Sequence, residues 1–300
     1  MDFTPLDYEA LAAAVRRLER PGLAGRLVAL TGKPVAYLER ALPQGATATI
    51  ARAAAVALER ALGVALMSLE DPRVGTIARG RRSHAILAGA TGAAGGAFGL
   101  AALTVELPLS TTIMLRAIAA AAGEEGEDLG DPGTALACLE VFALGAPSPR
   151  LPAEEGRLGE SGYFAVRAML AHALAGMAEY VVERGVLREG APYLARFLAR
   201  VAGRFGVVVS QKLAVQSAAV LGAFGGAAVN FAFAEHFQEL ARGHFTVRRL
   251  ERIYGAEPVR AEYERLRAEL DAEGASRLPQ SGRRFISGTK RLLGRTPDDG

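Results

Sequence analysis

Two long stretches without charged residues most constrain how this chain can fold. Residues 83–105 (SHAILAGATGAAGGAFGLAALTV) and residues 213–234 (LAVQSAAVLGAFGGAAVNFAFA) contain 23 and 22 residues, and the glutamates Glu106 and Glu235 directly follow them. A helix of this length extends about 33 Å, which is enough to cross the hydrocarbon core of a membrane. Apolar segments of this length must be covered, so the sequence predicts two central helical elements that contact protein or lipid.

Both stretches place small residues four positions apart, a spacing that lets two helix backbones approach closely. Both also carry a Gly-Gly pair shortly before the closing glutamate, which indicates a weak internal duplication. Glycine costs a helix about 1 kcal/mol relative to alanine, so these glycines need a packing partner. The residues predicted to mediate this packing are Gly92, Gly95, Gly96 and Gly99 in the first segment and Gly222, Gly225 and Gly226 in the second.

Three arrangements of the two segments stay open at this point. They can form the paired, buried centre of a soluble helical domain. They can also be hairpins or re-entrant segments that enter a membrane and break near the Gly-Gly pairs. In the third arrangement they are spanning helices, but the complete absence of tryptophan argues against a protein with several spans.

Helix signals dominate the rest of the chain, and we predict an all-α fold. Thr4-Pro5 and Asp131-Pro132 each read as a helix cap followed by proline at the first helical position, and Gly255 is placed as a C-terminal cap. Further helices are predicted over 23–42, 47–70, 163–184, 192–204, 207–254 with one break, and 258–272. We divide the chain into N-terminal helices (1–82), a helical core (83–272) and a basic, disordered tail (273–300).

Composition narrows the location and the partners. The single cysteine excludes an intrachain disulfide, and the start MDFTPLDYEA lacks a basic region followed by an apolar run. We therefore expect a cytoplasmic protein. The net charge of +3 derives from the tail, where residues 276–300 hold six basic and two acidic side chains. The body shows no basic bias, so we expect no nucleic-acid partner.

Candidate chemistry is sparse. Glu235, His236, Glu239 and His244 form the densest set of possible metal ligands, and Glu106 and Asn230 add oxygen atoms if the two segments pair. The order of these residues matches neither the H-E-x-x-H nor the E-x-x-H pattern, so we favour the interpretation that these polar side chains satisfy helix ends and one another. Glu106, Glu235, His236 and Glu239 are also the only candidates for catalysis, and we expect no cofactor.

A second candidate feature follows the first uncharged segment. Glu106 and Pro108 are predicted at a helix start, and the hydroxyl groups after them are expected to cap the helix or bond back to it. Arg116 follows on an otherwise apolar helix. If it is buried it needs a carboxylate, for which Glu106 and Glu140 are the candidates.

Three stretches of the chain resemble the EcsC family of bacterial proteins. They are GATGAAGGAFGLAALTVELPLSTTIMLRAIA, EDLGDPGTALACLEVFALG and SAAVLGAFGGAAVNFAFAEHFQELARGHFTVRRLERIYG, and the likeness covers about residues 55–265. The resemblance implies an α-helical protein. The family takes its name from a gene found beside two ABC-transporter components, and it brings no established reaction and no agreed catalytic residues.

The sequence thus favours a non-catalytic protein that associates with a membrane or assists transport. Its partners would be membrane lipid or an ABC transporter, and it would lie in the cytoplasm, peripheral on the inner face of the membrane. A metal-dependent hydrolase that uses His236, Glu239 and His244 is the first alternative. A soluble helical interaction module is the second.

Overall fold

The computed structural model of the protein describes residues 3–19, 22–32, 42, 45–70, 100–146, 162–174, 191–217 and 222–277. Within these ranges every regular element is an α-helix, so the all-α prediction is confirmed. The helices are α1 (Pro5–Leu18), α2 (Leu23–Thr31), α3 (Ala46–Glu70), α4 (Leu100–Glu124), α5 (Pro132–Leu144), α6 (Gly162–Leu174), α7 (Ala191–Ser217), α8 (Gly222–Tyr254) and α9 (Ala256–Arg277).

The predicted helix ends at Thr4, Asp131 and Gly255 are confirmed. The Thr4 hydroxyl accepts a hydrogen bond from the Asp7 amide at 3.2 Å, and the Asp131 carboxylate accepts one from the Thr134 amide at 3.1 Å. Gly255 has a φ of +91°, the left-handed conformation that glycine adopts without strain, and its amide bonds to the Glu251 carbonyl. These local signals fix the starts of α1 and α5 and the α8–α9 junction.

Helix α5 lies at the centre of the molecule. Apart from Glu140 its side chains after the first turn are almost all apolar, as expected of a helix that is covered on most sides. It packs against α3, α4, α6, α7 and α8, and Leu139, Val141 and Phe142 are fully buried. Phe142 contacts Phe205 of α7 and Phe237 of α8, with ring centroids 4.9 and 5.3 Å away. The aromatic contacts therefore join the central helix to its two longest neighbours.

Charged residues at the C-terminal end of α8 bind three other parts of the chain. Arg248 binds Glu127 at 2.8 Å, Arg249 binds both Glu125 and Asp7, and Glu251 binds Arg167. The Arg167–Glu251 pair is bidentate, with distances of 2.7 and 2.9 Å. These contacts attach α1, α6 and the loop after α4 to a single helix.

The second uncharged segment forms a hairpin between α7 and α8. Its first residues end α7, its last residues lie in the first part of α8, and residues 218–221 fall outside the described ranges. The Gln216 side-chain Nε2 donates to the Asn230 side-chain Oδ1 at 3.3 Å. In a straight helix these two positions would be about 21 Å apart. The chain therefore reverses within the segment, and a continuous spanning helix over 213–234 is wrong.

The paired packing of the two segments stays a prediction. Gly92, Gly95, Gly96 and Gly99 lie outside the described residues, as does the tail from residue 278. Gly222 and Gly225 fall at the start of α8, and Gly226 is half-buried there. No helix in the described ranges is long and apolar enough to span a bilayer.

Three predicted boundaries are wrong. The helix predicted over 23–42 ends at Thr31, because Gly32 adopts the left-handed conformation of a C-cap there. Pro108 was expected near a helix start but lies inside α4, where the Thr112 hydroxyl bonds back to the Pro108 carbonyl at 2.9 Å. Burial of neighbours such as Leu107 offsets the backbone hydrogen bond that proline removes. Helix α7 also continues through the boundary predicted at 204–207, because Val208 and Val209 are fully buried in the core.

Gly243 of α8 mediates the close approach of α1, which predicts opposite effects for two glycine substitutions. A Cβ atom at Gly243 would lie 2.8 Å from Leu18 Cγ and 3.3 Å from the Ala14 carbonyl oxygen, whereas one at Gly203 of α7 meets nothing within 4 Å. We expect Gly243→Ala to lower the free energy of unfolding by about 1–3 kcal/mol. Gly203→Ala should raise it by about 0.5–1 kcal/mol, because alanine favours the helix. Denaturant unfolding measures both, and equal effects would contradict the close approach.

Candidate functional site

A partly open cavity of about 250 Å³ lies where α2 and the end of α1 meet α7, α8 and the end of α5. Its volume corresponds to about eight water molecules. Apolar side chains form much of the wall, including Leu23, Leu144 and Val166. The polar lining residues are Arg17, Glu19, Arg26, Tyr163, Arg204, Gln211, His236 and Glu239.

Arginines from α1 and α2 lie at the rim of the cavity. Arg17 binds Glu239 at 3.1 Å, and Arg26 binds Glu235 at 3.0 Å. Their side chains keep 32% and 24% of their surface exposed, so this side of the cavity is open to solvent. The Glu235 side chain is 50% exposed and does not line the cavity.

His236 forms part of the inner wall. Its Nε2 lies 3.3 Å from the Gly145 carbonyl oxygen, and its ring packs against Phe237. Burial lowers the pKa of His236 to about 4, and the nearby Arg26 guanidinium adds to this effect. The imidazole is therefore neutral at pH 7, and its Nε2–H donates to the carbonyl. His236 and Glu239 share a face of α8 and line the same cavity, as their spacing indicates.

Arg204 and Gln211 complete the inner wall, seven residues apart on α7 and so on one helix face. The Arg204 guanidinium donates to the carbonyls of Ala143 and Ala146 at 2.7 and 3.0 Å, which satisfies the end of α5. Gln211 is only 6% exposed and lines the cavity. Neither residue was predicted from the sequence. A glutamine within the apolar run VVVSQKLAV was the available signal.

A second group of polar side chains lies near the junction of α7 and α8. Lys212 is 3% exposed and donates to the Glu106 carboxylate at 2.9 Å, and its ammonium lies 5.0 Å from the centre of the Phe233 ring. Burial lowers the pKa of Lys212, and Glu106 opposes that shift. This pair joins α4, which carries the end of the first uncharged segment, to the hairpin formed by the second. The end of the first segment and the start of the second therefore lie close together.

Comparison with known proteins identifies the family. The model of the EcsC protein family matches residues 9–250. The chain belongs to the EcsC family. The match starts in α1 and ends in α8, so it begins earlier than the resemblance quoted above and includes both polar groups. No curated protein matches the chain, and no solved structure does.

The remaining predicted metal ligand of this EcsC family protein, His244, does not line the cavity. His244 is fully buried, with Nδ1 3.0 Å from the Tyr163 hydroxyl and Nε2 3.9 Å from the Glu140 carboxylate. Burial lowers the pKa of His244 well below its usual value and raises that of Glu140 to about 7. His244 Nε2 has no hydrogen-bond partner among the residues that the structure describes.

The side chains predicted as metal ligands thus each bind a different partner within the chain. Glu235 and Glu239 bind arginines, His236 binds a carbonyl and His244 binds a tyrosine. Across the described ranges, no group of three or more His, Cys, Asp or Glu side chains is arranged to hold a metal ion. Asn230 accepts from Gln216.

Arg116 and Cys138 both lie outside the cavity. Arg116 is exposed, so the predicted buried pair with Glu106 or Glu140 does not form, and Glu106 binds Lys212 instead. Cys138 is buried in α5, and burial raises the pKa of its thiol to about 12, which keeps it protonated at neutral pH.

The buried pair predicts a large effect for Lys212→Met. Removal of the ammonium leaves the nearly buried Glu106 carboxylate without its cation, and such a change costs about 3–5 kcal/mol. Arg116→Met, on an exposed face of α4, should change the free energy of unfolding by less than about 0.5 kcal/mol. Urea unfolding of both variants checks the assignment. A larger loss for Arg116→Met would mean that Arg116 is the true partner of Glu106.

The neutral His236 predicts a pH-dependent stability. Its pKa is about 4 in the folded chain and about 6.5 unfolded, so the unfolded state binds more protons as the pH falls between these values. The stability from His236 is therefore complete above pH 6.5 and is lost toward pH 4, by about 3 kcal/mol in all.

His236→Gln keeps a donor for the Gly145 carbonyl but does not titrate. Thermal melts at pH 7 and pH 4.5 should show a smaller acid-induced loss for this variant than for the unchanged protein. His244 and Glu140 titrate in both proteins, so the difference isolates His236. The same loss in both would show that His236 is protonated in the folded state.

Proposed function

We propose that this EcsC family protein is non-catalytic, associates with the inner face of the cell membrane and assists a transport system such as an ABC transporter. The observation that carries the proposal is the uncovered apolar surface on the helices that hold the two uncharged segments. Phe231 on α8 is 51% exposed, and Ala228, one turn earlier, is exposed as well. Leu109 on α4, just after the first segment, is 50% exposed.

The charge pattern supports contact with an anionic surface. The sequence RRFISGTKRLL (283–293) combines four basic side chains with Phe285, Ile286, Leu292 and Leu293. Each basic residue near an anionic membrane contributes about 1 kcal/mol of attraction. The role in transport rests on the family alone, because the resemblance links the family to genes of ABC-transporter components.

The cavity residues favour a binding protein over a metal-dependent hydrolase. His236 and Glu239 are the predicted catalytic candidates that line the cavity. His236 is bound to the Gly145 carbonyl, and Glu239 is bound to Arg17. These contacts fix the helices around the cavity.

Sedimentation with lipid vesicles tests the membrane part of the proposal. We expect the full chain to bind vesicles that contain phosphatidylglycerol more tightly than vesicles of phosphatidylcholine alone. Phe231→Ser should weaken binding to anionic vesicles about tenfold, because the apolar contact of the ring is lost. Ile253→Ser is the matched control, since Ile253 is 53% exposed near the opposite end of the same helix.

Two results would contradict the proposal. No binding to anionic vesicles at low salt would leave a soluble interaction module as the better description. Equal weakening by Phe231→Ser and Ile253→Ser would show that the hairpin end is not the contact surface.

A further inference from the structure

We propose that a groove between the start of α1 and the start of α9 is the docking site for the basic tail of the same chain, through the tail segment RRFISGTKRLL (283–293). The groove lies at the end of α8 opposite to Phe231, because the Phe3 ring packs there against Tyr254 with ring centroids 4.5 Å apart. The proposal does not depend on membrane binding. It rests on the apolar walls of the groove, the charges at its rim and the length of chain between α9 and the segment.

Apolar side chains line most of the groove, which is open to solvent. Phe3, Pro5 and Tyr8 contribute one wall, and Pro258 and Ala261 of α9 contribute the other. The volume of about 620 Å³ equals that of about twenty water molecules, so the groove admits several side chains. Grooves with apolar walls are a common docking site for peptide segments that carry apolar anchor residues.

Carboxylates lie at the rim of the groove. Glu9 of α1 and Glu262 of α9 belong to its lining, and no basic side chain in the described part of the chain does. The nearby Arg265 is bound to both Glu262 and Glu269. Carboxylates therefore outnumber cations around the groove, and this excess of negative charge favours a basic ligand over an acidic one.

The tail segment has a composition complementary to the groove. It contains the same pattern twice, with two basic residues followed by two large apolar ones, as RRFI (283–286) and KRLL (290–293). Basic side chains beside apolar ones match a groove in which Glu9 and Glu262 stand beside the Phe3 and Tyr8 rings. Attraction between opposite charges therefore adds to the burial of apolar surface when the segment docks.

The length of chain after α9 allows the segment to reach the groove. Arg277 ends α9 and follows Ala261 by sixteen residues, so the two positions lie about 24 Å apart along the helix axis. Residues 278–285 bridge about 27 Å when they are extended. Phe285 and Ile286 are therefore the first tail residues with large apolar side chains that reach the groove.

Disulfide trapping in the full-length protein tests the docking. One variant combines Ala261→Cys in the groove with Ile286→Cys in the tail. The matched control combines Ala268→Cys with Ile286→Cys. Ala268 is exposed like Ala261, lies two turns later on nearly the same face of α9 and is closer to the tail, so a tail without a docking site would react more with it. The native Cys138 is buried and does not compete.

The measured quantity is the effective concentration of the two thiols at equilibrium with a glutathione redox buffer. We expect it to be at least tenfold higher for the Ala261→Cys pair than for the Ala268→Cys pair. Addition of Glu9→Lys to the first pair should lower it at least fivefold, because the carboxylate at the rim is lost. Glu59→Lys, which makes the same change of charge at an exposed position of α3, should leave it unchanged.

Three results would overturn the proposal. An equal or higher effective concentration for the Ala268→Cys pair would show that the tail does not prefer the groove. Disulfide-linked dimers in place of the intramolecular bond would assign the groove to a second copy of the chain. Equal effects of Glu9→Lys and Glu59→Lys would show that the charge at the rim does not attract the tail.

Discussion

Ion pairs between α8 and the elements around it fix the position of this helix in the fold. At the C-terminal end of α8, Arg248, Arg249 and Glu251 bind side chains of α1, α6 and the loop after α4. At its N-terminal end, Phe233 packs against Lys212, which is itself bound to Glu106. Charges that are partly removed from water must have partners, so these contacts define both the position and the rotation of α8. The apolar residues between the two ends then fill the centre, where Phe237 contacts Phe142.

Local sequence determines the helix ends, which is why those predictions hold. Thr4, Asp131 and Gly255 act through bonds to backbone groups a few residues away, and such bonds need no knowledge of the rest of the fold. Pro108 shows the limit of this reasoning. Proline is typical of a helix start, but burial of the residues around it keeps it inside α4.

The candidate site is less predictable, because its residues are distant in sequence. Spacing along one helix placed His236 and Glu239 on a common face, and both line the cavity. The arginines that complete the lining come from α1, α2 and α7, and no local pattern links them to α8. The prediction that Arg116 is the partner of Glu106 was wrong for the same reason. Arg116 is near it in sequence, whereas Lys212 reaches it only because α7 packs beside α4.

The two polar groups are mechanically linked through α7. Gln211 and Lys212 are consecutive, so their side chains leave the helix about 100° apart. One lines the cavity and the other binds Glu106. A rotation of α7 would therefore move the Lys212 ammonium relative to its carboxylate, and rupture of that buried pair is costly. The pair thus holds α7 in one rotation, with Gln211 aimed at the cavity, while the hairpin that follows Lys212 carries the apolar surface around Phe231.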